Sequence, residues 1–191
     1  MISLQSDISH ALDTLRSGGI ILYPTDTIWG LGCDATNAEA VKKIYELKNR
    51  ADNKSMIVLV DSLSRIYSYI DDVPDIALDI IELTTKPLTV ILEGAKNIAE
   101  NVINKSDKSI GIRVVKDSFC EQLIRQFKKP IVSTSANISE TPAPSIYSEI
   151  NDAIISNVDY VVFHRRNDTI KSAPSSIIKV GKNGAIKVIR T

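Results

Sequence analysis

Gly19-Ile20-Ile21-Leu22-Tyr23-Pro24 runs straight into Thr25-Asp26-Thr27-Ile28-Trp29-Gly30-Leu31-Gly32-Cys33-Asp34. The first half is a continuous apolar run closed by a proline, the pattern of a short buried strand that stops. The second half gathers two threonines, an aspartate, a tryptophan and two glycines. A segment that only fills a core does not carry so many hydroxyls. A buried strand opening onto a polar loop is how an α/β sheet presents ligand-binding groups at its strand ends.

Working outward, residues 8–17 read as a helix, with Leu12 and Leu15 on one face and Gly18-Gly19 as its stop. Asn37 is a natural N-cap for Ala38–Lys48, where Val41, Ile44, Tyr45 and Lys48 share a side. Met56–Val60 is an apolar run typical of a strand covered on both faces. Helices are expected over 62–70 and 74–84, the second opened by Pro74 in its first turn. Further strands are expected at 88–93, 109–115 and 130–135, with a helix from Asp117 to Lys128 and a helical stretch from about Ser145. The chain ends in three apolar runs, 159–164, 175–180 and 185–190, the last two joined by the tight turn Lys182-Asn183-Gly184. Segment 94–108 reads as a surface loop containing a short helix. Strands alternating with helices, then a hairpin-like end, predict one α/β domain over 1–191: an open, twisted, mixed β-sheet with flanking helices.

The composition excludes several classes. Of 191 residues, 43% are hydrophobic and 24% charged, ordinary values for a globular protein. Twenty-three basic residues balance twenty-three acidic ones, so no overall field attracts nucleic acid. There is no signal-peptide pattern and no apolar run of membrane-spanning length, so a cytoplasmic protein without membrane contact is expected. Cys33 and Cys120 match no metal-ligand or redox spacing.

Four places gather polar groups beyond strand or helix ends. Thr25, Asp26 and Thr27 form the first, and Lys48, Arg50 and Lys54 the second. The third is Ser133, Thr134, Ser135 and Asn137; the fourth is Ser175 with Ser176. Each has a plain structural explanation: cations complement a helix C-terminus, hydroxyls satisfy local backbone, and Trp29 is core. Together they suit an anionic, many-oxygened ligand, since a lysine point charge and an arginine fork both bind phosphate oxygens. No G-x-x-x-x-G-K-[ST] loop is present, and Gly30-Leu31-Gly32 lacks the third glycine of a dinucleotide fingerprint. From the residues alone, an α/β domain that binds a phosphorylated small molecule is as far as the reading goes.

Five segments in this order, Y-P-T-D-T-I-W-G-L-G-C-D-A (23–35), E-L-K-N-R-A-D-N-K-S-M-I-V-L-V (46–60), K-P-L-T-V-I-L (86–92), S-I-G-I-R-V (109–114) and I-V-S-T-S-A-N-I-S-E-T-P-A-P (131–144), resemble the YrdC-like family, specifically its short threonylcarbamoyl-AMP synthases. The resemblance implies formation of threonylcarbamoyl-adenylate and pyrophosphate from L-threonine, bicarbonate and ATP. A separate transferase complex then passes the group to tRNA. It assigns Lys48 and Arg50, with Lys54 nearby, to the ATP phosphates as the catalytic pair. Ser109, Ser135, Asn137, the Ala143 backbone and Arg190 are assigned to the nucleotide, and Thr27, Arg113, Ser133 and Ser175 to threonine. Magnesium is expected to arrive with ATP, without a protein metal cage. The chain departs from the family pattern at Trp29, at Leu59 and at Thr84–Thr89, and no additional C-terminal domain is expected. Two other readings fit the same segments: a module binding double-stranded RNA or tRNA without catalysis, and a related carbamoyl-adenylate-forming enzyme such as the domain used in hydrogenase maturation.

Overall fold

Ile21 pairs antiparallel with Gly32, and Tyr23 with Gly30, so the opening stretch is a hairpin whose second arm is a strand of two glycines and a leucine. These arms are β1 (Ile21–Tyr23) and β2 (Gly30–Gly32). The computed structural model describes residues 3–49, 56–139 and 141–191. In chain order α1 (Leu4–Arg16) comes first, then β1, β2, α2 (Ala38–Leu47), β3 (Ile57–Val60), α3 (Asp75–Leu83), β4 (Leu88–Leu92) and β5 (Ile110–Val114). They are followed by α4 (Ser118–Phe127), β6 (Ile131–Ser135), α5 (Asp152–Ile155), β7 (Tyr160–Val161), β8 (Ser176–Val180) and β9 (Ile186–Arg190). The strands form one sheet in the order β7-β1-β2-β6-β3-β5-β4-β8-β9, with parallel and antiparallel neighbours, as the alternation predicted.

Helix ends follow their caps. Ser3, Asn37 and Asp117 each accept a backbone N–H of the helix they precede, satisfying donors that have no partner within the helix. Pro74 stands at the N-cap of α3, one residue before the first turn expected for it.

Period-two alternation divides the sheet side chains between two layers. Leu22, Leu31, Val58, Val60, Val90, Ile112 and Val132 pack with Ala40, Val41 and Ile44 of α2 and Ala77 and Ile81 of α3. Ile21, Tyr23, Leu59 and Ile131 face the other way, onto Ile8, Leu12, Phe119 and Leu123 of α1 and α4. On this second face the apolar cover stops partway. Register places Ser133 beside Ile57, Gly30 beside Ser135, Leu59 beside Arg113 and Gly111 beside Ile91. The rest of the face is therefore carpeted with glycine, serine, threonine and one arginine. That half-covered face positions the site.

Several sequence expectations change, beginning with the helix expected over 8–17, which starts at Leu4 behind its Ser3 cap. The helix expected over 62–70 is a 3-10 turn, Leu63–Ser68. Segment 94–108 contains no helix and is not merely surface, because Ile98, Ala99, Val102 and Ile103 enter the core. The stretch after Ser145 is helical only at Tyr147–Glu149 and Asp152–Ile155. Among the described residues no helix is long and apolar enough to cross a membrane.

Candidate functional site

The uncovered sheet face holds a cavity of about 250 Å³. Its floor is Gly30, Ser133 and Ser135 from β2 and β6 with Arg113 from β5, and its walls are Thr25, Thr27 and Trp29 on one side and Pro174, Ser175 and Arg190 on the other. Gly30 matters for room: a Cβ there would approach Thr134 O to 3.2 Å and Ser133 Oγ to 3.4 Å, at the cavity floor.

The Thr25–Thr27 turn is built from its own hydroxyls. Thr25 Oγ1 accepts from Thr27 N at 3.1 Å, donates to Ile28 O at 2.9 Å and lies 2.8 Å from Thr27 Oγ1. From outside, Arg165 Nη1 donates to Thr25 O at 2.8 Å. Arg113, 3% exposed, donates from Nη2 to Thr25 Oγ1 at 3.4 Å and pairs with Asp26 Oδ1 at 3.2 Å. Its Nε has no partner although it is buried. A buried guanidinium on a cavity floor offers its charge to an incoming anion. Burial pushes the Asp26 carboxyl upward and nearby Asp117 adds to this, while the Arg113 charge opposes it.

Opposite, Arg190 forks onto Ser175 O through Nε at 2.9 Å and Nη2 at 2.7 Å. Ser175 Oγ lies 2.8 Å from the buried Thr89 Oγ1. Burial, and then the charge of Arg113, lower the pKa of Arg190, so two guanidinia face one small space. An anion between them relieves that repulsion.

The loop after β6 is fastened from below by Lys48, which is 2% exposed. Its Nζ donates to Asn137 O at 2.6 Å, to Asn137 Oδ1 at 3.2 Å and to Ser135 O. Ser135 Oγ donates to Asn137 Oδ1 at 2.5 Å, and Asn137 Nδ2 donates to Thr141 O at 2.5 Å. Lys48, expected at the phosphates, is thus placed as the clasp of the S-x-N loop. Asn137 lines a second hollow of about 480 Å³ with Thr141, Pro144 and Lys171, and Ala143 borders both hollows.

All four residues expected at threonine, Thr27, Arg113, Ser133 and Ser175, line the first cavity, as do Ser135, Ala143 and Arg190 of the nucleotide set. Ser109 does not line it. It is buried at the start of β5, on the same strand face as Arg113, with its hydroxyl engaging Asp107. Arg50 and Lys54 lie outside the described residues. Trp29, read as core, is 2% exposed and also forms cavity wall, its ring 5.1 Å from that of Tyr147. Gly30 as a floor residue carried no polar signal in the sequence; only its strand register reveals it. Among the described residues no group of three or more His, Cys, Asp or Glu side chains could hold a metal ion.

Comparison with known proteins identifies the family. The Sua5/YciO/YrdC family model, described as "Telomere recombination", matches residues 13–191. The threonylcarbamoyl-AMP synthase of Pseudoalteromonas translucida is 33% identical over 164 residues, 84% of this chain and 87% of that one. The synthase of Psychromonas ingrahamii is 35% identical over 156 residues, covering 80% and 81%. Among solved structures, the H234A/Y235A variant of P. abyssi Sua5 superposes with a TM-score of 0.86 at 22% identity, over 99% of this chain. P. abyssi Sua5 complexed with L-threonine gives 0.80 at 22% identity, over 94%. The chain spans 57% and 52% of those two archaeal chains, and the likeness there is one of fold. With the model matched over most of its length and relatives above 30% identity, this chain belongs to the Sua5/YciO/YrdC family.

Proposed function

We propose that the protein is a threonylcarbamoyl-AMP synthase, joining L-threonine, bicarbonate and ATP into threonylcarbamoyl-adenylate with release of pyrophosphate. The observation that carries this is the buried Arg113 on the floor of a hydroxyl-lined hollow that faces a second guanidinium. A volume of about 250 Å³ suits an amino acid, lying just below the span of small-molecule pockets of roughly 300–1,000 Å³. The nucleotide then extends past Ala143 toward the adjoining hollow beside Asn137.

In this arrangement the Arg113 guanidinium takes the amino-acid carboxylate, and Thr27, Ser133 and Ser175 orient the rest of the molecule by their hydroxyls. The threonine amine adds to bicarbonate carbon and water leaves, giving the carbamate. A carbamate oxygen attacks the α-phosphorus of ATP, the bond to the bridging oxygen breaks, and pyrophosphate departs. The task is chiefly positioning of anion against anion, so cationic and hydrogen-bonding groups suffice and no nucleophilic side chain is required. Arg190 spreads charge at the cavity rim, and Lys48 holds the Ser135–Asn137 loop against the nucleotide. Arg50 and Lys54 complete the phosphate contacts by motif, and Ser109 the nucleotide contacts. Magnesium comes bound to the phosphates of the substrate, because it prefers phosphate oxygens and water to a dedicated protein cage. The product passes to a separate transferase acting on tRNA.

The test is incubation with labelled threonine, bicarbonate, ATP and magnesium. A threonine-dependent acyl-adenylate is the expected product. Folded protein that makes none, yet binds tRNA in a salt-sensitive manner, supports instead the RNA-binding reading. Turnover of carbamoyl phosphate in place of threonine and bicarbonate supports the carbamoyl-adenylate reading.

A further inference from the structure

Asp26 is flanked by two cavity threonines, yet it does not line the cavity. Its side chain is 7% exposed and sits behind Arg113, with Oδ1 3.2 Å from Nη2. Neither carboxylate oxygen makes a well-formed hydrogen bond within the protein, the backbone N–H groups of Lys116 and Asp26 acting on it only weakly. Among the described residues Asp26 is the one carboxylate in an ion pair with Arg113. Asp117 also lies nearby, but its Oδ1 is committed to the N-terminus of α4 through Cys120 N at 2.9 Å. A carboxylate buried with only weak hydrogen bonds is costly to maintain. Its charged partner is the Arg113 guanidinium.

We infer that Asp26 is a positioning residue for amino-acid binding: it holds the Arg113 guanidinium at one point, Nη2, from behind and leaves the cavity side of the group to the substrate carboxylate. The inference rests on the reading that Arg113 takes that carboxylate. When the cavity empties, a buried arginine without a counter-charge would turn away or draw in solvent. Asp26 keeps it in place through both the empty and the filled states, so the site is preorganised rather than assembled at each turnover. Simple charge competition makes the opposite claim. If Asp26 only opposed the ligand for the same cation, removing its charge would tighten amino-acid binding.

The two accounts separate in steady-state pyrophosphate release at varied threonine and varied ATP. Asp26→Asn keeps the shape and removes the charge. Its KM for threonine is expected to rise about tenfold or more, the direction seen when one partner of a buried charge pair is lost, while the KM for ATP stays within about twofold. Asp26→Glu, which restores the charge one methylene further out, recovers part of the loss. In an Arg113→Met background Asp26→Asn is expected to add nothing, since the residue it positions is gone. Melting curves check folding. If Asp26→Asn does not fold, Asp26→Glu alone carries the test through a selective rise in threonine KM. An unchanged or lowered threonine KM, or equal rises for threonine and ATP, overturns the inference while leaving the function intact. Wild-type protein with no threonine-dependent turnover overturns the functional reading and this inference with it.

Discussion

The ammonium of Lys48 lies 2.6 Å from the main-chain oxygen of Asn137, 89 positions later in the chain, and also reaches Ser135 O and Asn137 Oδ1. The end of α2 is thereby tied to the loop after β6, and the placement of Ser135 and Asn137 depends on a bond between them. A lysine at the phosphates alone would predict Lys48→Ala or Arg50→Ala to cut pyrophosphate release far more than stability. The buried clasp changes this for Lys48. Lys48→Met leaves loop oxygens without their donor, so stability falls by on the order of 3 kcal/mol along with activity. Denaturant titration of the variant measures the first and pyrophosphate release the second. Full activity with unchanged stability would remove Lys48 from this role.

Gly32 is a packing glycine. A Cβ at that position would lie 2.6 Å from Tyr23 Cε1 and 2.9 Å from Val132 O, the second a main-chain atom that cannot swing aside. Gly32→Ala is therefore expected to destabilise the protein by about 1–3 kcal/mol through overpacking. A melting temperature equal to that of the wild type would show that β1, β2 and β6 have slack at this crossing.

Thr89 and Ser175 meet through their hydroxyls, 2.8 Å apart and both buried. Thr89→Val keeps the shape and removes the hydroxyl, freeing Ser175 Oγ to rotate. The threonine KM should rise by about three- to tenfold, matching loss of one hydrogen bond worth roughly 0.5–1.5 kcal/mol. The KM for ATP should not move. Equal shifts in both constants would point to a general disturbance of β4 and β8.

Lys179 joins Asp107 at 2.7 Å and Glu93 at 3.1 Å, beside the start of β5. Burial alone would raise the Asp107 carboxyl, but hydrogen bonds from Lys179 and Ser109 more than offset it and hold it below the usual range. A depressed carboxylate contributes stability above its unfolded pKa of about 3.9 and loses it as pH falls through the folded value. Lys179→Met should consequently melt below the wild type at neutral pH, with the gap closing in acid below about pH 4. A gap constant from neutral to acid pH would assign the effect to packing instead.

Much of the scaffold was legible from residues 20–60 and 109–135. Apolar runs at β1 and β3 read as strands because burial on both faces leaves no polar alternation to confuse them, and Asn37 and Asp117 marked the helix starts chemically. The strand Gly30–Gly32 was not legible. Glycine has low strand propensity, and what makes a strand here is close approach to Tyr23 and β6. The same holds for 94–108, whose polar sequence hid four side chains that the core accepts.

For the site, local sequence determined the inventory: hydroxyls after β1 and β6, an arginine in β5, cations after α2 and a serine ahead of β8. Their order along the chain also identified the family. Tertiary structure alone decided which of these face one cavity, because strand register and the partial cover by α1 and α4 choose the exposed half of a sheet face. It also decided that Lys48 clasps a loop and that Asp26 stands behind Arg113, since both contacts join residues more than eighty positions apart. Period and propensity act over a few residues; convergence of distant side chains is settled only when the sheet closes its pairs.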